Sequence, residues 1–310
     1  MKYSIQNFLP NFLIIGAAKS GTTSLHAYLS EHQDILMSTP KEPKYFSNKA
    51  ITINFSGKGD LEVYNSIIKS KIEYKNLFKS EKDLIIKGES SADSLYYYKK
   101  VIPLIKKELE EPYVLILLRN PIERAFSAYT HLIRDGREIK SFEEGLQLES
   151  ERIEWGYEFI WHYKEVGLYY NQVKSYIENF KNCKVILFDD LKKDSQLVVD
   201  DTCDFLKLTT IKINKDRVYN KSGIPKRNFQ TFLYNKFIKK RSLFKKIVSF
   251  FLKETKKEQI AFILKNQLFN KQLQKSEMKP ETKNQLIDYF KDDILKLEKL
   301  IDKDLQHWLK

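Results

Sequence analysis

The residues with the clearest chemical potential lie in the sequence FLIIGAAKSGTTS, residues 12–24. Two glycines frame a loop with one lysine, and three hydroxyl residues follow: Gly16, Lys19, Ser20, Gly21, Thr22, Thr23 and Ser24. The apolar start predicts a buried strand, and the hydroxyl residues can open a helix whose first N–H groups lack partners. A strand, a glycine loop and a helix N-terminus together form a cradle for an anion. The GxxxxG spacing is that of a phosphate-binding P-loop.

The position of the lysine decides which phosphate ligand is favoured. An ATP-type P-loop carries lysine directly after its second glycine, where this chain has Thr22, and Lys19 lies inside the loop instead. A lysine in mid-loop lies beside the terminal group of a ligand shorter than a nucleoside triphosphate. We therefore predict a nucleotide with one 5′ phosphoryl-type chain. The alternative is a glycine turn that only joins strand to helix.

A second charged segment, TPKEPKYFS at residues 39–47, follows the predicted strand 35–37. Its prolines prevent a helix, so we expect Lys41, Glu42 and Lys44 on an extended segment. In a parallel α/β sheet, ligands gather at the carboxyl ends of strands. Glu42 is therefore a candidate general base, and a solvated charged turn is the alternative.

A second anion site is indicated by Arg119, which follows the predicted strand 113–118. A helix begins at Pro121, where the missing N–H of proline costs nothing, and Ser127 lies two turns into it. An arginine and a serine in this arrangement are suited to gripping a second phosphate. Two phosphate sites would imply a bisphosphorylated nucleotide, whereas an exposed arginine before a helix is the alternative.

Three further positions are open to two interpretations each. Ser90 follows the predicted strand 83–87 and could bind a ligand or, with Ser91, cap the next helix. His162 belongs to an aromatic cluster that indicates core packing more often than a sugar platform. Asp189 follows the predicted strand 184–188, as does the acid that holds magnesium in ATP-type P-loop proteins, so a magnesium-dependent kinase is an alternative.

The chain carries a net charge of +13, and most of this charge lies in one stretch of the sequence. Residues 226–275 contain 14 Lys and Arg and only two Glu, a local excess of +12. This charge favours an acidic partner such as a polyanionic glycan, an anionic lipid or nucleic acid, of which nucleic acid is the least expected. The pattern of this stretch predicts basic amphipathic helices, which either pack on the domain or lie at a membrane surface. Residues 220–228, which overlap the start of this stretch, form a predicted lid in which Lys226 and Arg227 could close over an anionic ligand.

Composition limits the remaining possibilities. Two cysteines and five scattered histidines make a disulfide framework, a zinc site or another catalytic metal improbable. Neither a run of 18 apolar residues nor a signal peptide is evident, so we expect a cytoplasmic protein that could also contact a membrane surface.

The fold predicted from these elements is one α/β domain of 310 residues, with a P-loop-type central parallel sheet of four to five strands flanked by helices. We place the core at about 11–225, a basic helical extension at about 226–280 and a C-terminal docking helix at about 281–310. Leu305 and Trp308 are expected to dock on the core.

Several ordered blocks resemble the sulfotransferases that use 3′-phosphoadenosine 5′-phosphosulfate (PAPS), in particular the heparan sulfate sulfotransferase branch and its bacterial relatives. IIGAAKSGTTSL is similar to the 5′-phosphosulfate loop, KEPKYFS to the segment with the catalytic glutamate, and YVLILLRNPIERAFSAYTHLI to the 3′-phosphate block. CKVILFDDLKKD and the terminal DLQHW are similar to later elements. The matches cover most of 11–207 and the end of the chain.

The resemblance implies a role for each matching residue. Lys19 would contact the transferring sulfonate, and Glu42 would activate the acceptor. Arg119 and Ser127 would bind the 3′ phosphate, while the 5′ phosphate would lie against residues 21–24. The chain departs from the family on the acceptor side, where Lys44, Ser47 and Ser90 replace a frequent histidine, aspartate and lysine.

The chemistry needs these residue types independently of the family. Sulfonate transfer is an in-line displacement in which positioning and charge neutralisation dominate, and no metal is required. We therefore predict transfer from PAPS to a hydroxyl or amine, most simply of a carbohydrate or glycolipid, with Lys41, Lys44, Ser90 and His162 as candidate substrate contacts. The alternatives are the magnesium-dependent kinase and a non-catalytic, nucleotide-regulated binder of anionic membrane or nucleic acid.

Overall fold

Five parallel strands form the central sheet, which confirms the predicted α/β fold. They are β1 Phe12–Gly16, β2 Ile35–Met37, β3 Ile86–Ser90, β4 Tyr113–Leu118 and β5 Cys183–Leu187, in the spatial order β2-β3-β1-β4-β5. This computed structural model describes residues 8–51, 55–80, 84–214 and 277–310, together with two short strands, Ile224–Pro225 and Leu273–Gln274. Because all five strands are parallel, their carboxyl ends meet at one edge of the sheet.

The central strand β1 pairs with β3 on one side and β4 on the other. Phe12 stands opposite Gly88 and Tyr113, and the register with β4 shifts between Ile14 and Gly16, where the chain turns into the loop. Strands β1 and β4 are apolar along most of their length because helices cover the two faces of the sheet.

The helices begin and end as follows: α1 Thr22–Leu29, α2 Tyr45–Asn48, α3 Asp60–Ser66, α4 Lys71–Asn76, α5 Tyr98–Leu109, α6 Pro121–Arg134, α7 Phe142–Gln147, α8 Glu149–Glu154, α9 Tyr169–Asn179, α10 Phe188–Lys193, α11 Ser195–Phe205 and α12 Pro280–Ile301. Short 3₁₀ turns occupy Phe159–Trp161, Glu165–Gly167 and Gln306–Leu309. Within the described residues, no helix has the length and apolar content needed to cross a membrane.

Two predicted strands are shifted. The third begins at Ile86 and continues to Ser90, because Gly88, Glu89 and Ser90 pair with β1. The strand predicted at 184–188 ends at Leu187, and Phe188 already belongs to α10. Asp189 therefore lies in the first turn of a helix, where a carboxylate is stabilised by the helix dipole.

The predicted extended segment 39–47 is also only partly correct. Tyr45–Asn48 is helical because no proline follows Pro43. Glu42 and Lys44 adopt left-handed backbone conformations, with φ of 62° and 54°. The chain therefore turns sharply at the candidate base instead of running straight past it.

The C-terminal helix α12 packs along one stripe, in which Leu286, Phe290, Ile294 and Leu297 are buried. After it, Leu305 and Trp308 are completely buried, as expected for a docked terminus. The chain divides into two compact units. One comprises residues 1–129, 137–220 and 278–310, and the other 130–136 and 221–277.

In the second unit, Ile224–Pro225 pairs antiparallel with Leu273–Gln274. The rest of the predicted lid at 220–228, with Lys226 and Arg227, and the basic stretch 226–275 otherwise lie outside the described residues. The predictions about the lid, membrane contact, location in the cell and domain boundaries therefore stay predictions.

Candidate active site

The loop between β1 and α1 is shaped by two left-handed residues, Lys19 with φ of 69° and Gly21 with φ of 89°. A Cβ atom on Gly21 would lie 2.7 Å from Leu191 and 2.8 Å from Phe188, so a side chain there would have to displace both, and the left-handed backbone also favours glycine. Lys19 is partly exposed, whereas Ser20 is buried. The loop is thus held tightly against α10 with its lysine accessible.

The N-terminus of α1 is open at this loop. Gly21 is its N-cap residue, and among the described residues no side chain caps the helix. Thr22 is buried, Thr23 and Ser24 are partly exposed, and the first turn contains no acidic residue. Uncapped N–H groups and the positive end of the helix dipole make this terminus suited to an anion.

Arg119 lies next to the same loop, at the carboxyl end of β4. Its Nη1 donates to the Lys19 carbonyl oxygen over 3.3 Å, and its guanidinium stacks 4.9 Å from the centre of the Phe188 ring. Its Nε and Nη2 donate to Glu123 Oε2 over 3.1 and 3.0 Å. The structure therefore brings together the two predicted anion-binding elements. Ser127 is buried on α6, the helix that follows Arg119.

Glu42 lies beyond the carboxyl end of β2, and a third of its side chain is exposed. The Lys41 ammonium donates to Glu42 Oε1 over 2.6 Å. Burial alone would raise the pKa of Glu42, but the charges of Lys41, Lys44 and Lys19 outweigh it and lower the pKa to about 2. Glu42 is therefore ionised, and Lys19 is close enough to influence it.

Lys44 is buried, and its ammonium group is used in an ion cluster. Its Nζ lies 3.1 Å from Glu158 Oε1 and 3.9 Å from Asp93 Oδ2. Burial opposes its charge, yet these carboxylates raise the pKa of Lys44. Arg137 joins the cluster by bonding Glu158 Oε2 over 2.7 Å and also Asp60. In this arrangement Lys44 anchors the segment that carries Glu42, and its predicted role in substrate binding stays a prediction.

A second set of contacts fixes the backbone of the same segment. The Lys44 N–H donates to Ser91 Oγ over 2.9 Å, and Ser91 donates to Glu89 Oε2 over 2.6 Å. Burial raises the pKa of Glu89 to about 8; the Ser91 hydrogen bond opposes this shift, and the charges of Asp93 and Glu42 add to it. A carboxyl group that stays protonated at pH 7 thus supports the left-handed turn at Lys44.

Ser90 and Ser91 do not cap the next helix, which begins only at Tyr98. Ser90 lies at the end of β3, and its Oγ is 2.9 Å from His26 Nδ1. Burial and the charge of Lys41 lower the pKa of His26 to about 4, so this histidine is neutral at pH 7. The role of Ser90 in substrate binding stays a prediction.

His162 lies apart from the loop, on the wall of a separate cavity. Its Nδ1 is 3.1 Å from the Tyr96 hydroxyl. Burial lowers the pKa of the imidazole to about 4, so His162 is also neutral at pH 7.

The side chain of Asp189 contacts residues of the C-terminal turn. Its Oδ2 accepts from Trp308 Nε1 over 3.2 Å and lies 3.3 Å from His307 Nε2, while Lys192 contacts Oδ1 at 2.8 Å. Over the described part of the chain, no group of three or more His, Cys, Asp or Glu side chains is arranged to hold a metal. These contacts give Asp189 a structural role.

Sequence reasoning did not identify several residues that shape the site: Phe188, Glu123, Glu89, Asp93, Glu158 and Arg124. Arg124 is completely buried on α6 and donates to the Tyr163 carbonyl over 2.5 Å. The sequence RNPIER placed two arginines around Pro121, so the second could have been noticed as a charge on the buried face. Glu123 lies four residues after Arg119, so this pair could also have been noticed in the sequence. The contacts of Phe188, Asp93 and Glu158 join distant segments and gave no local signal.

Comparisons with known proteins identify the family of this chain. A family model described as the sulfotransferase domain matches residues 9–303. A solved sulfotransferase from Alicyclobacillus acidocaldarius is 34% identical with a TM-score of 0.75, and the match covers 97% of this chain and 99% of that one.

Two curated relatives match more locally. The membrane-associated sulfotransferase kil1 of Dictyostelium discoideum is 33% identical over 122 residues, which are 39% of this chain and 22% of that protein. Carbohydrate sulfotransferase 15 of Rattus norvegicus is 26% identical over 170 residues, 44% of this chain and 29% of that protein. This chain thus spans less than a third of either relative. The family predicted from the sequence is confirmed, because the family model matches nearly the whole chain and the bacterial structure matches its fold. The chain belongs to the sulfotransferase family and is an enzyme.

Proposed function

We propose that this sulfotransferase takes its sulfonate from PAPS, bound between Lys19 and Arg119, and transfers it to a hydroxyl or amine of a carbohydrate acceptor activated by Glu42. One observation carries the proposal: the guanidinium of Arg119 donates to the backbone of the Lys19 loop over 3.3 Å. Two anion-binding elements thus adjoin at one sheet edge, as a nucleotide with a 5′ and a 3′ phosphate requires.

The residues around the loop fit such a donor. The open N-terminus of α1 and Lys19 supply N–H donors and positive charge for the 5′ end. Arg119 offers a planar fork of donors suited to a phosphate, and it is already bonded to an exposed carboxylate, Glu123, whose oxygens stand where an anion would bind.

The proposed reaction is a direct displacement at sulfur. The bond between sulfur and the bridging oxygen of the 5′ phosphate breaks while a bond forms to the acceptor oxygen or nitrogen. The acceptor proton passes to the Glu42 carboxylate, and 3′-phosphoadenosine 5′-phosphate (PAP) leaves. Lys19 and the N–H groups of α1 stabilise the negative charge that develops on the departing phosphate. Glu42 and Lys19 are close enough to interact electrostatically, as one transition state requires.

Donor binding also tunes the base. Without a ligand, Lys41, Lys44 and Lys19 hold the pKa of Glu42 at about 2, which makes it a weak base. The donor brings several negative charges beside Lys19 and offsets one of these three cations. We infer that the pKa of Glu42 rises when PAPS binds, so the base strengthens only when the sulfonate is in place.

The acceptor class rests on different support. Curated relatives include a carbohydrate sulfotransferase. A hydroxyl-rich acceptor also suits a site in which one carboxylate, Glu42, is available to take a proton. We therefore favour a carbohydrate over other hydroxyl or amine acceptors.

Calorimetric titration tests the donor. We would titrate the full chain with PAP and with ATP, each with and without Mg²⁺. We expect PAP to bind without Mg²⁺ and more tightly than ATP, and we expect Lys19→Ala to weaken this binding strongly. Lys174→Ala is a matched control because Lys174 is an exposed lysine paired with Glu178 on α9. Tighter, Mg²⁺-dependent binding of ATP would overturn the proposal and favour a kinase.

A further inference from the structure

Lys19, which the proposed function places at the 5′ end of the donor, has a backbone conformation that its residue type disfavours. Its φ of 69° lies in the left-handed region, where a residue other than glycine persists only if surrounding contacts enforce it. One such contact is the hydrogen bond that the Lys19 carbonyl accepts from Arg119 Nη1 over 3.3 Å. The following residue, Ser20, is in a position to make a second.

Ser20 is completely buried, so its side chain supports the loop from beneath and does not reach the donor. Its N–H donates to the Ala17 carbonyl over 3.3 Å, which closes a turn around Lys19. The Ser20 side chain and the peptide group between Lys19 and Ser20 belong to one short, rigid unit. A contact that fixes this side chain therefore also restrains the backbone of Lys19.

Tyr169, the first residue of α9, makes that contact. It too is completely buried. Burial raises the pKa of its hydroxyl to about 12, and the charge of Arg124 and a side-chain hydrogen bond with Ser20 oppose the rise. The hydroxyl is therefore protonated at pH 7. Because the Arg124 guanidinium has only donors, its charge favours the orientation in which the Tyr169 O–H points to the Ser20 oxygen.

The backbone around Tyr169 is held by two helices, so its hydroxyl is a fixed support. Its N–H donates to Asp293 Oδ2 on α12 over 2.8 Å. Two residues earlier, a Cβ atom on Gly167 would lie 2.9 Å from Phe290 of α12 and 3.0 Å from Pro121, the first residue of α6. The N-terminus of α9 thus packs closely against both helices and has little freedom to move.

Building on the proposed donor, we propose that Tyr169 is a positioning residue for donor binding: its buried hydroxyl holds Ser20 and so keeps Lys19 in the conformation that directs its ammonium to the 5′ end of the donor. Tyr169 itself does not touch the donor, because it is completely buried. Without this hydroxyl, the peptide group between Lys19 and Ser20 can leave the left-handed conformation. The Lys19 ammonium then spreads over orientations that do not contact the 5′ phosphate.

Calorimetric titration of the full chain with PAP and with adenosine 5′-phosphate tests this role. Tyr169→Phe removes the hydroxyl and keeps the ring, and it should weaken both nucleotides by about 2- to 10-fold, the effect of one hydrogen bond. The effects should be equal because both nucleotides carry the 5′ phosphate. Ser20→Ala removes the other hydroxyl and should weaken both nucleotides to the same extent. It decides the outcome if Tyr169→Phe does not fold.

A double-mutant cycle separates positioning from general support of the fold. In the Lys19→Ala background, Tyr169→Phe should weaken PAP binding no further, because the ammonium that it positions is absent. The matched control is Tyr176→Phe on the same helix. Tyr176 is also completely buried, but its hydroxyl donates to the Ser94 carbonyl over 2.8 Å. This variant should lower the melting temperature and leave the affinity for PAP unchanged.

The outcomes distinguish this role from the donor itself. If the natural chain binds PAP and both Tyr169→Phe and Ser20→Ala bind it equally well, the positioning role is overturned and the donor stands. The role is also overturned if Tyr169→Phe weakens PAP alone, which would place its effect at the 3′ phosphate. The same holds if it weakens PAP fully in the Lys19→Ala background, or if Tyr176→Phe has an equal effect. A natural chain that binds no PAP would overturn the proposed donor and this role with it.

Discussion

Arg119 donates a hydrogen bond from Nη1 to the main-chain carbonyl of Lys19 over 3.3 Å. Arg119 follows β4 and Lys19 follows β1, and the two strands are neighbours in the sheet. The bond ties the loop proposed for the 5′ phosphosulfate to the arginine proposed for the 3′ phosphate. Because one guanidinium takes part in both sites, we expect their binding energies to be coupled.

Substitution of Arg119 tests this coupling. Arg119→Ala should weaken PAP binding by about 10- to 150-fold, since hydrogen bonds to a charged group contribute about 1.5–3 kcal/mol. It should also weaken adenosine 5′-phosphate, which lacks the 3′ phosphate, by about 2- to 10-fold, because the Lys19 carbonyl loses its donor. Calorimetry with both nucleotides measures the two effects. An unchanged affinity for adenosine 5′-phosphate would show that the sites are independent, and an unchanged affinity for PAP would remove Arg119 from the donor site.

The carboxylate of Glu123 competes for the same guanidinium. It accepts from Nε and Nη2 of Arg119 over 3.1 and 3.0 Å and is half exposed. A bound 3′ phosphate would be repelled by this charge, so Glu123→Gln should tighten PAP binding by about 2- to 5-fold, in keeping with an exposed ion pair. Titrations at low and high salt should show the gain shrinking as salt screens the charge. Glu154→Gln, on the exposed surface of α8, should change nothing. Weaker binding in Glu123→Gln would mean that Glu123 positions Arg119 instead of competing with the ligand.

The pH dependence of turnover tests the base. Burial raises the pKa of Glu42, and the charge of Lys41 is the largest of those that lower it to about 2. Lys41→Met removes that charge and the 2.6 Å hydrogen bond, so the pKa of Glu42 should rise. Because the carboxylate is the active form, the fall in kcat on the acid side should begin at a higher pH in this variant.

The matched control is Glu42→Gln. This variant cannot take the acceptor proton, so kcat should fall by about 10²- to 10⁴-fold while the affinity for PAP is retained. In the double variant Lys41→Met/Glu42→Gln, the fall in kcat on the acid side should begin at the same pH as in Glu42→Gln alone. Full turnover in Glu42→Gln would exclude Glu42 as the base.

The raised pKa of Glu89 leads to a prediction about how stability depends on pH. Burial is the main cause that raises its folded pKa from an ordinary 4.5 to about 8. Between these values the folded chain keeps a proton that the unfolded chain releases, so Glu89 makes stability fall as pH rises from about 4.5 to about 8. Glu89→Gln can still accept from Ser91 but does not ionise. Its melting temperature should therefore fall less than that of the natural chain between pH 6 and pH 9. Glu178→Gln, at an exposed ion pair, should follow the natural chain. Equal pH dependence in Glu89→Gln would contradict a raised pKa.

Local patterns predicted the scaffold and the shape of the loop that carries Lys19, because both depend on residues that are close in sequence. The apolar runs fixed strands such as β4, and the glycine spacing predicted a cradle that the left-handed Gly21 now forms. Arg119 was predicted from its place between a strand and a helix that starts at proline. These signals come from residues that are close in sequence, so a single sequence was enough to predict the features.

The surroundings of Lys44 and Ser90 could not be predicted in the same way, because their contacts join segments far apart in the chain. Lys44 meets Glu158 across 114 positions, and Ser90 meets His26 across 64. Their positions after predicted strands made both residues candidate substrate contacts, a role that stays a prediction, and the structure shows that each is bonded within the protein. The turn at Glu42 was missed for a related reason: its left-handed backbone depends on the anchors at Lys44 and Ser91, which no local pattern encodes.

The C-terminal turn gives the last prediction. Trp308 is completely buried, its Nε1 donates to Asp189 over 3.2 Å, and its carbonyl accepts from Asn120, the neighbour of Arg119, over 3.2 Å. Trp308→Ala should lower the free energy of unfolding by about 3–5 kcal/mol, the usual cost of removing a buried aromatic side chain. Trp308→Phe keeps most of the packing and loses one hydrogen bond, so its cost should be nearer 1–2 kcal/mol, of which about 0.5–1.5 is the bond. Chemical denaturation followed by circular dichroism measures both.

The matched control is Trp155→Ala, because Trp155 is 52% exposed and should cost much less. Since Asn120 also accepts the N–H of Ile122 at the start of α6, a loosened C-terminus should reach Arg119 through Asn120. We therefore expect Trp308→Ala to weaken PAP binding as well, whereas Trp308→Phe, which retains the backbone contact, should not. A Trp308→Ala protein that unfolds like Trp155→Ala would show that the terminus does not hold the core. If it is destabilised but binds PAP normally, the C-terminal turn supports the fold without positioning Arg119.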